Sequence, residues 1–331
     1  MIASQTSVTT LALAAAVRAP SPFNTQPWHF DVAGDRIELR LDRARVLEVA
    51  DPDAREARLA CGAALCNVRI QLRALDRVGL VDLMPNRDDP DLLAVVRIAG
   101  ERIAGERPAT DSERKLADAI SKRHTNRHPF LDRPVSASAR ATLASAARAE
   151  GARLVFVDAS ERYDLLVDLI RKAEQRLDTN EAYRQEVRYW LGGPVDRHDG
   201  VPIDAIGPEP VDDQLVRLRS FYRTNPLPAR RFEQQPLLVA VVTAGTSPRY
   251  DVIAGAGMQR ALLAACSLGL SASFLSQPFE VPDIRDEVTR AFASDGHVHT
   301  LLRIGYGYPV GVTPRRSVGE VTSTATNGHG A

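Results

Sequence analysis

Apolar and polar positions change period several times along the chain, and each change marks an element. Residues 8–18 are dominated by small and apolar side chains and read as a short helix that runs into a Pro/Asn loop at 20–27. Over 28–32 and again over 36–41 apolar and polar residues alternate around Ala33-Gly34-Asp35, the pattern of a β-hairpin. A small-residue helix over 60–78 opens with Cys61-Gly62-Ala63-Ala64, and a strand follows over 92–98. The stretch 100–111, rich in Gly, Pro and charge, predicts a linker. Beyond it the periods predict helices over 112–122, 137–150, 160–177, 181–191 and 255–270, and strands over 153–157, 237–243 and 301–306. Residues 192–213 carry Gly-Gly-Pro, Asp-Gly and Gly-Pro-Glu-Pro, a long loop of the kind that usually has a function.

Two parts of this pattern echo each other. Gly62-Ala63-Ala64 opens a helix that is read to end at Val78-Gly79-Leu80, and a loop then leads to Val95-Val96-Arg97-Ile98. Gly255-Ala256-Gly257 opens a helix that is read to end at Leu268-Gly269-Leu270, and a loop leads to Leu302-Arg303-Ile304. Gly and Ala let another backbone approach, so the repeat points to an internal duplication whose two small-residue helices pack together.

Length agrees with this reading. At 331 residues the chain exceeds a usual single core, and 44% hydrophobic with 25% charged residues describes a soluble globular protein. Lys+Arg and Asp+Glu both number 42, so the basic excess that a nucleic-acid partner selects is missing. The apolar run at 11–17 has no preceding cation and is followed by Arg18. It is therefore neither a secretory signal nor long enough to cross a bilayer. Three cysteines without a Cys-x-x-Cys predict reduced thiols and a cytoplasmic location. His297-Val298-His299 lacks companions at zinc spacing, and no metal site is expected.

Two strings carry candidate chemistry. In Arg123-His124-Thr125-Asn126-Arg127, residues 123, 125 and 127 alternate and can face one side of an extended segment, where Arg suits phosphate. A solvated basic helix end would look the same taken alone. In Pro20-Ser21-Pro22-Phe23-Asn24-Thr25-Gln26-Pro27-Trp28, three prolines restrict the backbone and two amides offer paired donors and acceptors. A plain Pro-rich loop is the bland alternative.

Both strings resemble signature segments of the flavin-dependent nitroreductase superfamily: Arg-x-Ser-x-Arg-x-Phe, with Thr125 for Ser, and Ala-Pro-Ser-x-x-Asn-x-Gln-Pro-Trp. The family is normally a homodimer with flavin mononucleotide (FMN) between subunits, and the basic string normally comes first. Here the order is reversed. The resemblance therefore implies an α+β nitroreductase fold built from two fused nitroreductase-like halves, an internal pseudo-dimer and a monomer in solution. The halves are 1–105, with the Asn/Gln loop, and 106–331, with the basic site and a lid over 192–213. The chain most resembles the Acg group of this superfamily.

The resemblance implies that FMN is bound by Asn24, Thr25, Gln26 and Trp28 from the first string and by Arg123, Thr125 and Arg127 from the second. Gln277 of Ser276-Gln277-Pro278-Phe279-Glu280, Gly305 of the closing Ile304-Gly305-Tyr306, and Arg315 or Arg316 complete the set. The 276–280 segment departs from the family at Val281, where a Gly is expected. The implied activity is NAD(P)H-dependent: hydride to flavin N5, then to a nitroaromatic or quinone, with the flavin doing the chemistry and no catalytic side chain required. An FMN-sequestering or sensing protein is the alternative, and a helical interaction module using 160–191 is a third. No Gly-x-Gly-x-x-Gly follows a strand, which disfavours a Rossmann domain.

Overall fold

A computed structural model describes residues 7–99, 107–158, 161–192, 197–211, 219, 228–233 and 236–324. The first half runs α1 (Val8–Ala16), β1 (Trp28–Ala33), β2 (Arg36–Leu41), α2 (Arg55–Ala74), β3 (Gly79–Leu83) and β4 (Leu92–Ile98). The second runs α3 (Asp111–Lys122), β5 (Phe130–Leu131), α4 (Ala137–Arg148), β6 (Arg153–Val157), α5 (Glu161–Asp178), α6 (Glu181–Trp190), β7 (Leu237–Thr243), α7 (Pro248–Ser267), β8 (Ser271–Phe274), α8 (Pro282–Phe292), β9 (His297–Gly307) and β10 (Thr322–Thr324).

The two sheets repeat one topology. The first has the order β10-β1-β2-β4-β3, and the second β5-β9-β7-β6 with β8 also on β9. Without the added β10 and β5 these become β1-β2-β4-β3 and β6-β7-β9-β8, antiparallel throughout. Each has a 20-residue helix between its second and third strands. Each also has a register shift in the central ladder, at Leu39/Arg40 and at Val241/Val242. The fold is α+β, made of two similar halves.

The halves meet through α2 and α7. A methyl added to Gly62 would fall 2.8 Å from the Val252 carbonyl carbon, and one added to Gly255 would fall 2.7 Å from that of Leu59. Position 255 lies 193 after 62, and 252 lies 193 after 59, so these are one contact seen from both sides of a pseudo-two-fold axis. Only glycine lets the two backbones approach so closely.

The same offset corrects the helix ends read from sequence. Asp76 (φ 56°) and Gly269 (φ 73°) are the matching left-handed residues that stop the two helices. Gly79 is instead the first residue of β3, a strand that the sequence reading had merged into the helix. At the other end α2 begins at Arg55 rather than 60, because Asp51 accepts from the Glu56 N–H (3.1 Å) and the Ala57 N–H (2.8 Å). Helix α7 begins at Pro248, since proline has no N–H to lose in a first turn. Strands β5, β8 and β10 and helix α8 have no counterpart among the elements that the periodicity predicts.

The chain does not divide cleanly. β10 pairs in parallel with β1, Phe30 opposite Thr322, so the C-terminal segment completes the sheet of the first half. The expected boundary at 105/106 lies outside the described residues.

Candidate functional site

The loop before β1 is built from strained backbone. Phe23 (φ 44°), Asn24 (φ 60°) and Gln26 (φ 53°) all occupy the left-handed region, at an order of 1–3 kcal/mol each. Polar ties keep them there. The Asn24 amide donates to the carbonyls of Gly200 (2.9 Å) and Pro314 (3.0 Å). Gln26 donates from Nε2 to the His198 carbonyl (2.9 Å) and accepts at Oε1 from the Arg316 N–H (2.9 Å). These two amides therefore bind segments 198–200 and 314–316 together rather than lining an opening. Asn24 Oδ1 is buried without a partner. Thr25 is buried and its carbonyl accepts from Arg45 Nε (2.8 Å). Trp28 is fully enclosed in a hydrophobic core to which both halves contribute.

The basic string leaves α3 in extended backbone at Arg123 and docks on β8. Thr125 bridges Ala272, and the Asn126 N–H donates to the Ala272 carbonyl (2.9 Å). The Asn126 amide donates to the Tyr308 carbonyl (2.9 Å) and accepts from the His128 N–H (3.0 Å), which fixes the turn between Thr125 and Arg127. Gly307 is needed beside it, because a methyl there would sit 2.6 Å from the Asn126 amide nitrogen.

Four arginines converge here. Arg123 donates to the Arg18 carbonyl (3.1 Å), and Arg315 to the carbonyls of Thr313 (3.1 Å) and Pro314 (2.9 Å). Burial pushes the Arg315 guanidinium down to about 9, with Arg123, Arg18 and Arg127 adding repulsion. Burial likewise lowers Arg123 to about 10, and Arg127 to about 10. Among the described residues neither Arg123 nor Arg315 has a carboxylate partner, and the Nε of each is buried with nothing to donate to. Cations so arranged favour a bound anion. Arg316, the alternative from sequence, faces elsewhere: its guanidinium donates to the Glu320 carbonyl (2.6 Å) and lies 4.0 Å from Asp42.

From this cluster Arg127 and Thr125 lead into a cavity of about 260 Å³ whose wall comes from both halves. Pro20–Phe23 and Leu59 belong to the first half, Met258 and Ser273 to the second. Residues 206–211, part of the expected lid, also line it. Gly207 (φ 77°) lies against the Arg127 backbone, where a methyl would be 2.8 Å from its carbonyl oxygen. The lid reading of 192–213 falls partly outside the described residues.

Part of the cavity wall is acidic, a feature absent from the sequence motifs. Glu56, Glu174 and Asp178 line it, beside Arg219. Arg219 donates to Glu280, to Ser276 Oγ (2.6 Å) and to the Tyr183 hydroxyl, and its guanidinium sits 4.9 Å from the Phe23 ring centroid. These residues come from five separate stretches of chain, so no local motif announces them. Gln277 is buried next to Ser276, but neither atom of its amide has a partner and it does not line the cavity. Gly305 makes room for the Phe130 ring, 2.6 Å from a would-be methyl, and is likewise set back.

A second cavity, of about 240 Å³, lies at the other end of α2. Val78 and Gly79 line it, the counterparts by the same offset of Ser271 and Ala272, on which the basic string docks. Three of the arginines that line it are matched by acids: Arg69 and Arg260 (3.0 Å) bind Glu150, and Arg73 (3.3 Å) binds Glu113, which also holds Arg107 (2.8 Å). Among the described residues no three His, Cys, Asp or Glu side chains could hold a metal, and no helix is long and apolar enough to cross a membrane.

No family model matches the chain. Rv3131 of Mycobacterium tuberculosis, which carries the name of an NAD(P)H nitroreductase, is 30% identical over 93% of this chain and 89% of its own. The M. tuberculosis protein acg, named likewise, is 28% identical over 98% of each chain. Among solved structures, a nitroreductase with bound FMN from Desulfitobacterium hafniense is 15% identical, with a TM-score of 0.38 over 61% of this chain and 93% of that one.

Proposed function

The chain belongs to the NAD(P)H nitroreductase family, and from that premise we propose that it is an FMN-dependent oxidoreductase. It takes hydride from NADH or NADPH and passes it to a nitroaromatic or quinone acceptor. The observation that carries this reading is the cluster of Arg123, Arg315, Arg18 and Arg127 at the end of a cavity shared by both halves. Its donor chemistry fits a phosphate dianion, and the orphaned Nε atoms of Arg123 and Arg315 are the donors such an anion would satisfy.

In this reading Arg123, Arg315 and Arg18 hold the phosphate, and Thr125 with Arg127 follows it into the cavity. Bound FMN would supply the hydride chemistry. Arg127 would bring positive charge beside the cofactor, favouring its reduced, more anionic form. Asn24 and Gln26 act one step back, by fixing the loops that carry Pro20–Phe23, His198–Gly200 and Arg315. Residues 206–211 exclude water from the cavity.

We infer one FMN per chain, which the acid-matched arginines beside Val78 and Gly79 support, and a monomer, which the use of α2 and α7 inside the chain supports. Flavin released from purified protein should approach one equivalent, and its absorbance should bleach with NADPH under anaerobic conditions. Colourless protein that takes up no FMN would end this reading.

A second reading has its own support. The lining by 206–211 and the ties from Asn24 and Gln26 to 198–200 give the covering segment a fixed seat. A cover so held suits a protein that sequesters FMN and turns over slowly. The rate of flavin bleaching separates the two.

A further inference from the structure

We propose that Glu56 is the proton donor of this site: its carboxyl faces the cavity from the first turn of α2, has no partner for Oε1, and protonates the acceptor as it is reduced. The proposal rests on the flavin reading above and adds a residue to it.

Glu56 sits one turn before Leu59 and Ala60 on the cavity wall, and its Oε1 is buried without a hydrogen bond. The charged groups around it do not pair with it. Asp51 lies just before the helix, with both oxygens committed to the N–H groups of Glu56 and Ala57. Glu280 approaches from the segment after β8 but is bound to Arg219. Arg219 is the cation that pulls hardest on it, and its guanidinium already serves Glu280, Ser276 and Tyr183. Arg55 stands on the same helix, and Glu174, Asp178 and Arg127 face the same cavity. Burial first, then the negative charges of Glu280 and Asp51, raise the Glu56 pKa well above the usual carboxylate range, against the pull of Arg219 and Arg55. Such surroundings favour the protonated carboxyl over the carboxylate. Among the described residues no histidine lines the cavity, and Glu56 and Glu174 each present there a buried oxygen without a hydrogen bond; of the two, Glu56 stands beside Leu59 and Ala60 on the wall that α2 forms.

The chemistry balances. A quinone that accepts hydride gains two electrons and one hydrogen and becomes a hydroquinone anion. That anion takes the Glu56 proton: the carboxyl O–H bond breaks, its electron pair stays on the carboxylate, and a neutral hydroquinone leaves. Water then returns a proton to Glu56. The hydroquinone anion is a stronger base than a carboxylate, so the transfer runs downhill.

The test compares wild type with Glu56→Gln at matched bound flavin. Wild-type protein at pH 7 should show a protonated-carboxyl C=O band in difference infrared spectra that is absent from E56Q. Reoxidation of the reduced protein by a benzoquinone should slow about 100-fold in E56Q, the scale for losing a general acid. Reoxidation by ferricyanide, which takes electrons without protons, should proceed alike in both. The wild-type quinone rate should fall as pH rises through the Glu56 pKa, while the E56Q rate stays flat. An ionised Glu56 at pH 7, or equal quinone rates in the two proteins, overturns the proposal. Failure to bind flavin at all would instead remove the functional reading, and the infrared band would still decide whether Glu56 holds its proton.

Discussion

Arg58 and Asp251 hold the same place in the two halves, 251 lying 193 after 58, and they grip each other across the pseudo-two-fold axis. Arg58 reaches Asp251 Oδ2 through Nη2 (2.8 Å) and Nε (2.9 Å), and both side chains are buried. In a true homodimer these positions would be Arg against Arg or Asp against Asp. Fusion into one chain lets the mates carry opposite charges. Asp251 also meets His299 Nδ1 (3.1 Å), whose Nε2 meets Thr243 Oγ1 (2.7 Å), so the pair anchors a polar network running from α2 to β7 and β9.

Breaking this pair should be expensive. Arg58→Met strands a buried carboxylate and should cost about 3–5 kcal/mol in urea unfolding. Adding Asp251→Asn to it should cost less than the sum of the two single changes, because the second removes the stranded charge. Simple additivity would mean that the pair is not coupled.

The glycine crossing makes a second prediction. Gly255→Ala drives a methyl into the Leu59 carbonyl and must push α2 and α7 apart, as must Gly62→Ala at Val252. Each should cost about 1–3 kcal/mol or more by overpacking. The double variant should cost less than twice one of them, since a single displacement relieves both clashes. Unchanged thermal midpoints would show that the halves do not pack as described.

Arg315 and Arg316 should separate cleanly. Arg315→Met should weaken FMN binding by about 2–3 kcal/mol, the scale of a charge-assisted hydrogen bond, as should Arg123→Met. Arg316→Met, whose guanidinium is turned toward Glu320 and Asp42, should change affinity little. Burial and repulsion lower the pKa of Arg315 to about 9, so as a cation it burdens the fold at every pH below that value, and the burden eases as pH rises through it. Flavin-free R315M should therefore be more stable than flavin-free wild type at pH 7, by about 1 kcal/mol, although it binds FMN less well. A lower melting temperature for flavin-free R315M would contradict this account of the cluster.

The covering segment should gate reduction. Replacing 203–210 with a short Gly/Ser linker keeps the Asn24 and Gln26 ties to 198–200 while removing the wall at 206–210. Reduction by NADPH in stopped flow should then speed up, while dithionite reduces both proteins readily. Intact protein that NADPH already reduces within milliseconds would remove the sequestering reading.

Much of the architecture was legible in the chain because it is written in local patterns. Period changes placed β1, β2, β4, β7 and most helices, and the small-residue runs at Gly62 and Gly255 marked the crossing of α2 and α7. The two family strings named the segments that meet: Pro20–Phe23 and Thr125–Arg127 do line one cavity. Side-chain direction was not legible. Asn24 and Gln26 could serve a cofactor or a backbone equally well, and only the loops folded around them decided for carbonyls at 198, 200 and 314 and the N–H at 316. Arg315 and Arg316 are chemically identical neighbours, and the approach of Arg123 and Arg18 gives the first its place in the cluster. Glu56 looks like any acid in a first helical turn until Arg219 and Glu280 come round it from more than 150 residues away and the cavity opens beside it. Secondary structure follows from neighbours along the chain, whereas burial, charge state and contact depend on what tertiary folding brings across it.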